Sequence, residues 1–266
     1  MSILGNLKKM RVSLADPIQY ELELGEARIS MNELIGKQIH FHYTGLIHCK
    51  ICGNKTKKAF GQGFCYNHFT NHPANSPCII RPELCEGHLG VGRDVEWEEE
   101  NHVQPHVVYL ALTSAVKVGV TRSVQVPTRW IDQGAWQVIH LAETPYRQLA
   151  GEIEVALKEH VTDKTNWRKM LQDVRNEEVD LLDEKDRLAE ELSPILQEYI
   201  SDKEDILTLT YPMAHYPEKI KSIGFDKLPD IKGELQGIRG QYLFFEHGQV
   251  LNIRKHTGYQ VELSFN

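Results

Sequence analysis

Residues 107–120 read Val-Val-Tyr-Leu-Ala-Leu-Thr-Ser-Ala-Val-Lys-Val-Gly-Val. The run at 107–112 is apolar or aromatic throughout, the pattern of a strand buried on both faces. A second run, 115–120, begins three residues on, so the two are predicted to pair as a hairpin. Outward from it, residues 128–133 suit a short helix and 138–141 (Val-Ile-His-Leu) a third strand. Across 145–160 the apolar residues Leu149, Ile153, Ala156 and Leu157 recur at helical spacing. Strand, strand, helix, strand, helix is an α+β arrangement, assigned here to residues 106–170.

The flanks divide by character. Residues 1–47 alternate polar and apolar at 20–24 and 39–43 and are punctuated by Gly25, Gly36 and Gly45, which predicts an N-terminal β segment. Residues 48–105 have weak periodicity and hold all five cysteines. Residues 171–205 are read as long acidic helices, with Pro194 breaking them into two pieces. Residues 206–266 return to β, as a small meander or barrel. Whether the two terminal β segments join into one barrel is left open by the sequence.

The 266 residues are 41% hydrophobic, 25% charged and 8% aromatic, which excludes a disordered, collagen-like or coiled-coil chain. No stretch approaches the roughly 18 apolar residues of a membrane span. The first residues lack a basic start followed by a long apolar run, so a cytoplasmic location without a membrane partner is expected. The net charge of −7 argues at first against a nucleic-acid partner. The acid is concentrated, however. Residues 173–205 hold 13 acids and 4 bases, residues 94–100 hold five acids and no base, and without these two segments the remainder carries +7. A nucleic-acid face would lie away from the 173–205 helices, whose acids repel phosphate and could instead engage a protein partner.

Cys49-x2-Cys52-x12-Cys65-x2-His68 supplies four zinc ligands in two tight pairs. Such pairs suit a knuckle in which both side chains turn to one tetrahedral ion. Gly53, Gly61 and Gly63 permit the turns, and Lys50, Lys55, Lys57 and Lys58 surround them. Disulfides are disfavoured in a cytoplasmic chain. Four protein ligands predict a closed, structural zinc site. Cys78-x6-Cys85-x2-His88 is looser, with His72 and His102 as candidate fourth partners for a second zinc. In the bland alternative, Cys78 and Cys85 are small buried hydrophobes.

Residues 107–157 resemble the GIY-YIG nuclease superfamily. Val107-Val108-Tyr109 stands where its first motif ends, Lys117-Val118-Gly119-Val120-Thr121 where its second continues, Arg129 where it places an arginine, and Glu154 where a helix glutamate holds a divalent metal. The resemblance implies a metal-dependent endonuclease with Tyr109, Lys117, Gly119, Thr121, Arg129 and Glu154 as catalytic candidates. Glu154 would anchor Mg²⁺ or Mn²⁺, Arg129 would grip phosphate, and Tyr109 would take a proton from water. This chain departs from the pattern in having Lys117 where the second motif has tyrosine, and in a longer gap from Gly119 to Arg129. Arg122, Trp130, Gln133, Lys164, Asn166 and Trp167 are the candidates for a nucleic-acid groove. In the bland readings Tyr109 and Trp130 are core aromatics, Arg129 a surface ion-pair partner and Glu154 an exposed acid. Over nearly its full length the chain also looks like an uncharacterised bacterial family, on the strings Cys65-Tyr66-Asn67-His68-Phe69, Arg81-Pro82-Glu83-Leu84-Cys85 and Thr128-Arg129-Trp130-Ile131-Asp132-Gln133-Gly134-Ala135. Where members carry further cysteines after Cys85, this chain has Gly92 and His102. Two other readings keep the zinc and drop the chemistry: a non-catalytic nucleic-acid-binding module, and a protein-interaction protein.

Overall fold

The structure, a computed structural model, describes residues 2–161 and 166–266. In chain order the strands and helices are β1 (Ser2–Asn6), β2 (Arg11–Ser13), β3 (Gln19–Leu24), β4 (Ala27–Ser30), β5 (Gln38–His48), β6 (Lys55–Thr56), α1 (Tyr66–Asn71), α2 (Val95–His102), β7 (His106–Leu112), β8 (Val116–Arg122) and α3 (Thr128–Asp132). They continue with β9 (Gln137–Thr144), α4 (Arg147–Leu157), α5 (Trp167–Leu171), α6 (Leu181–Glu190), α7 (Pro194–Gln197), β10 (Leu207–Thr208), β11 (Lys221–Ile223), β12 (Asp230–Arg239), β13 (Tyr242–Phe245), β14 (Gln249–Asn252) and β15 (Tyr259–Phe265). The α+β class expected from the sequence is the class observed. Two compact units emerge: one from residues up to Thr70 with Thr210–Asn266, the other from Asn71–Leu209.

In the first unit the terminal β segments share one sheet in the order β1-β15-β5-β12-β13-β14-β11, with β6 added to β5. Its end strands do not pair, so among the described residues there is no closed barrel. The odd-numbered residues Ile39 and Phe41 of β5, and Ile231, Val261 and Leu263 on its neighbours, are buried, while His40 and His42 face outward. That alternation is the period-two pattern of 39–43 made real. Strands β2, β3 and β4 form a separate three-stranded sheet.

In the second unit the order is β10-β9-β7-β8, with β7 and β8 the predicted hairpin. Every residue of β7 is buried, as its unbroken apolar run requires. Helix α4 packs Ala150, Ile153 and Leu157 into the core with Val108, Leu110, Ile139 and Leu141. The 171–205 segment read as long helices holds two short ones, the 10-residue α6 and α7, which starts at Pro194; α5 ends at its first residue. Leu181 and Leu188 of α6 join the same core. No described helix is long and apolar enough to cross a membrane.

Candidate functional site

The first cysteine cluster lies in the first unit. Cys49 ends the strand run of β5, and its backbone N–H bonds to the Asn54 carbonyl while Gly53 N–H returns to the Cys49 carbonyl. Gly53 at φ +70 and Gly63 at φ +105 occupy the left-handed region that these turns require. Lys50 N–H reaches the Gly63 carbonyl and ties the two halves of the knuckle together. On the other half, Cys65 precedes α1, and three residues later the helix turn brings His68 back beside it. His68 Nδ1 lies 3.4 Å from Cys49 Sγ and 3.3 Å from Cys65 Sγ. Ligand atoms of Cys49, Cys52, Cys65 and His68 all fall within 4.8 Å of one another. Adjacent sulfur and nitrogen ligands on a tetrahedral zinc stand about 3.6 Å apart, so the donor set fits. Burial raises the Cys49 thiol pKa, but the N–H groups of Cys52, Cys65 and Ile51, with His68, outweigh it and bring it down to about 6. A thiol held ready as thiolate favours metal capture.

The second cluster lies in the other unit and is entirely buried. Cys78, Cys85 and His102 come together as proposed from the sequence, but the fourth member is Glu98. Asp94 caps α2 by accepting from Trp97 N–H, and the helix then carries Glu98 and His102 four residues apart on one face. His102 Nδ1 is 3.4 Å from Cys85 Sγ, 3.9 Å from Cys78 Sγ, and bonded to Glu98 Oε2. Gly92 makes room for the glutamate: a Cβ there would stand 2.4 Å from Glu98 Cγ. The hydrogen bond between the two thiols lowers the pKa of Cys85 and raises that of Cys78, with burial acting against the thiolate in both. The set has the separations and donors of a tetrahedral zinc site. A cavity of about 380 Å³ is bordered by Cys78, Arg93 and Glu98. His88 is not a member of the set. It sits in a 3₁₀ turn, Gly87–Leu89, and its ring stacks on Tyr146 at 4.4 Å and 6°. All five cysteines are unbridged.

Beside this cluster, β7, β8, α3 and α4 assemble the other candidates. Tyr109 on β7 faces Gly119 on β8 and His140 on β9. Its ring crosses Gly119 so closely that a Cβ there would meet the phenol at 2.6 Å. Glycine is therefore required by the tyrosine, not by the hairpin turn. The Tyr109 side chain is fully buried and its hydroxyl finds no hydrogen-bond partner of normal geometry. Burial raises its pKa; the Arg129 guanidinium opposes the rise, the Glu154 carboxylate adds to it, and Gln133 opposes it. Tyr109, Arg129, Gln133 and Glu154 thus share one neighbourhood, with Arg129, Gln133 and Glu154 half-buried. Lys117 and Thr121 share the Gly119 face of β8 by strand alternation, Lys117 half-buried and Thr121 buried.

Arg147, at the start of α4, was not singled out from the sequence and joins the two constellations. Its guanidinium donates to the carbonyls of Cys78 and Ile79 at 2.9–3.0 Å. Burial lowers its pKa, while Cys78, Cys85 and Glu154 raise it and Arg129 lowers it, so it stands between the cysteine pair and the carboxylate. One turn further, a Cβ on Gly151 would stand 2.2 Å from the backbone nitrogen of Glu83. The cysteine loop therefore grips α4 at two points before Glu154.

The nucleic-acid candidates are scattered in role. Trp130 is buried, 5.9 Å from the Tyr109 ring and edge-on to His140, so its face is not presented for stacking on a base. Arg122 donates to Asn101 Oδ1 at 2.6 Å. Asn166 caps α5 by accepting from Arg168 and Lys169 N–H. Trp167 is half-buried with the Arg168 guanidinium 4.3 Å above its ring. Lys164 lies outside the described residues.

A family model described as "Protein of unknown function (DUF2797)" matches residues 36–261, which include both cysteine clusters and the tyrosine neighbourhood. No curated protein and no solved structure matches the chain. With the match covering most of its length, the chain belongs to the DUF2797 family.

Proposed function

We propose that this is a zinc-stabilised protein that acts on nucleic acid, with a GIY-YIG-like, divalent-metal-dependent phosphodiesterase centre in the second unit. The observation that supports it is the meeting of Tyr109, Arg129 and Glu154 from three separate elements. The hairpin also sets Tyr109 directly against the second motif's Gly119. Both cysteine clusters carry zinc in a structural role, since each offers four protein ligands.

Each residue then has a task that its surroundings allow. Half-buried Glu154 offers a carboxylate to Mg²⁺ or Mn²⁺, ions that keep several waters and need few protein ligands. Such an ion supplies charge stabilisation at the phosphate and acidifies bound water. Arg129 presents a planar fork to phosphate oxygens. Tyr109 has a raised pKa, which keeps it a phenol. As a phenol it can orient Arg129 by accepting from the guanidinium, and it is a poor acceptor of the water's proton. Lys117 contributes a point charge to phosphate in place of the second phenol.

One observation favours a second reading, a non-catalytic binding module. Tyr109 is wholly enclosed, with its hydroxyl out of solvent contact. Incubating the zinc-loaded protein with single-stranded, duplex and branched DNA and RNA, with Mg²⁺ or Mn²⁺, separates the two. Cleavage lost in Glu154→Ala and Arg129→Ala is the expected result. Absence of cleavage, or cleavage unchanged in both variants, rejects the nuclease. Salt-sensitive binding without cleavage establishes the module.

A further inference from the structure

The outward face of β5 carries a third constellation, far in sequence from any cysteine of the second unit and independent of the nuclease reading. Strand alternation places His40 and His42 on the same face. The antiparallel register with β12 sets Asp230 directly opposite His42 and Lys232 opposite His40. On the other flank β15 sets Glu262 opposite His42 and Ser264 opposite His40. The result is a row, carboxylate, imidazole, carboxylate, across three strands. Asp230 Oδ1 lies 2.8 Å from His40 Nε2 and 3.0 Å from His42 Nδ1, and the three donor atoms fall within 4.8 Å of one another.

We propose that His40, His42 and Asp230 form an open third metal site that takes a borderline divalent transition ion, zinc being the reference case. Neighbouring ligands at about 2.1 Å from one ion stand about 3.0 Å apart in octahedral and about 3.4 Å apart in tetrahedral geometry. The two separations to Asp230 Oδ1, 2.8 and 3.0 Å, match the former. An ordinary surface ion pair needs one imidazole on one carboxylate. Here two rings, 6.4 Å apart at their centroids, aim nitrogens at a single oxygen, as ligands aim at a shared ion. Two imidazoles and one carboxylate, with no thiolate, select zinc, nickel or copper over magnesium or calcium. The side chains are 30%, 45% and 47% exposed, so water completes the shell and the ion exchanges freely. Glu262, which accepts from Ser2 Oγ, adds negative charge beside His42. Lys232 is exposed and free to turn its charge into solvent. With three protein ligands and open positions, the site belongs to the class that binds further small ligands, unlike the two closed cysteine clusters.

The test uses the full chain with both cysteine clusters already loaded, freed of loose metal by gel filtration. Calorimetric titration with Zn²⁺ should find one further equivalent per chain. His40→Ala/His42→Ala should abolish it, with tightly held zinc by elemental analysis and the circular dichroism spectrum unchanged. Asp230→Asn, an isosteric change on an exposed side chain, should weaken it at least about tenfold. No further equivalent in the wild-type protein, or an undiminished one in the double variant, overturns the proposal. Loss of nuclease activity has no bearing on this outcome, and the titration has none on the nuclease.

Discussion

The first cysteine cluster draws Cys49, Cys52, Cys65 and His68 from 20 consecutive residues and leaves Cys52 exposed. The second draws Cys78, Cys85, Glu98 and His102 from 25 residues and buries all four. The first is held by its own turns, with backbone N–H groups closing around Cys49. The second is held by packing: a capped helix delivers Glu98 and His102, and Arg147 and Gly151 of α4 clasp the loop that bears the cysteines. A self-contained knuckle should lose its ion as a local event. A cluster folded into a unit's interior should lose its ion only with the unit.

Ligand removal gives the largest expected contrast. Cys85→Ser should destabilise the second unit by more than about 3 kcal/mol, because the binding free energy of an ion held there is part of that unit's folding free energy. Cys52→Ser should cost no more than about 2 kcal/mol, since water reaches the vacated position. Thermal unfolding of the zinc-loaded variants measures both, and equal losses would erase the distinction. Chelator challenge should likewise strip the first cluster well before the second.

Acid probes the interior of the second unit by another route. Burial holds the His106 imidazole down to about 4, against about 6.5 in an unfolded chain. The unfolded state therefore takes up the proton first as pH falls. Stability should decline between about pH 6.5 and about pH 4, by up to about 3 kcal/mol. His106→Gln should flatten that part of the curve in denaturant titrations; an unchanged slope would assign the acid sensitivity elsewhere.

The identity of the fourth ligand gives a smaller effect. Glu98→Gln should weaken zinc binding at the second cluster by about 10- to 100-fold in competition with a chromogenic chelator. His88→Ala should leave that affinity within about twofold and cost only its stacking on Tyr146, about 1 kcal/mol. The reverse pattern would return His88 to the metal.

These contrasts also explain what could be read from the chain. The first cluster was legible because its four ligands come in two short, evenly spaced pairs. The hairpin was legible because 107–112 and 115–120 are neighbours in sequence. Glu98 was hidden inside the acidic run 94–100, where it counted only as charge. The helical spacing of Glu98 and His102 was the signal available, and α2 is too short to announce itself by apolar periodicity. His88 had the right spacing from Cys85, but spacing fixes proximity along the chain and not the direction in which Tyr146 holds the ring. The sheet of the first unit was not legible, because β5 finds its partners about 190 to 220 residues away. The same distance concealed Asp230 from His40 and His42. Arg147 gave no sign at all, since its role depends on carbonyls of a loop with no pattern of its own.

The strand order of the first unit bears on how the chain comes together as it is made. β5 lies between β15 and β12, which follow it by most of the chain's length. Residues 71–209 form their unit without interruption and are all synthesised before either flanking strand exists. The knuckle of residues 49–68 carries all four candidate ligands, and its own β6 is the one partner β5 has before residues 230–265 are made. The unit whose first strands are made before the other's is therefore the last to close, since it waits for residues 230–265.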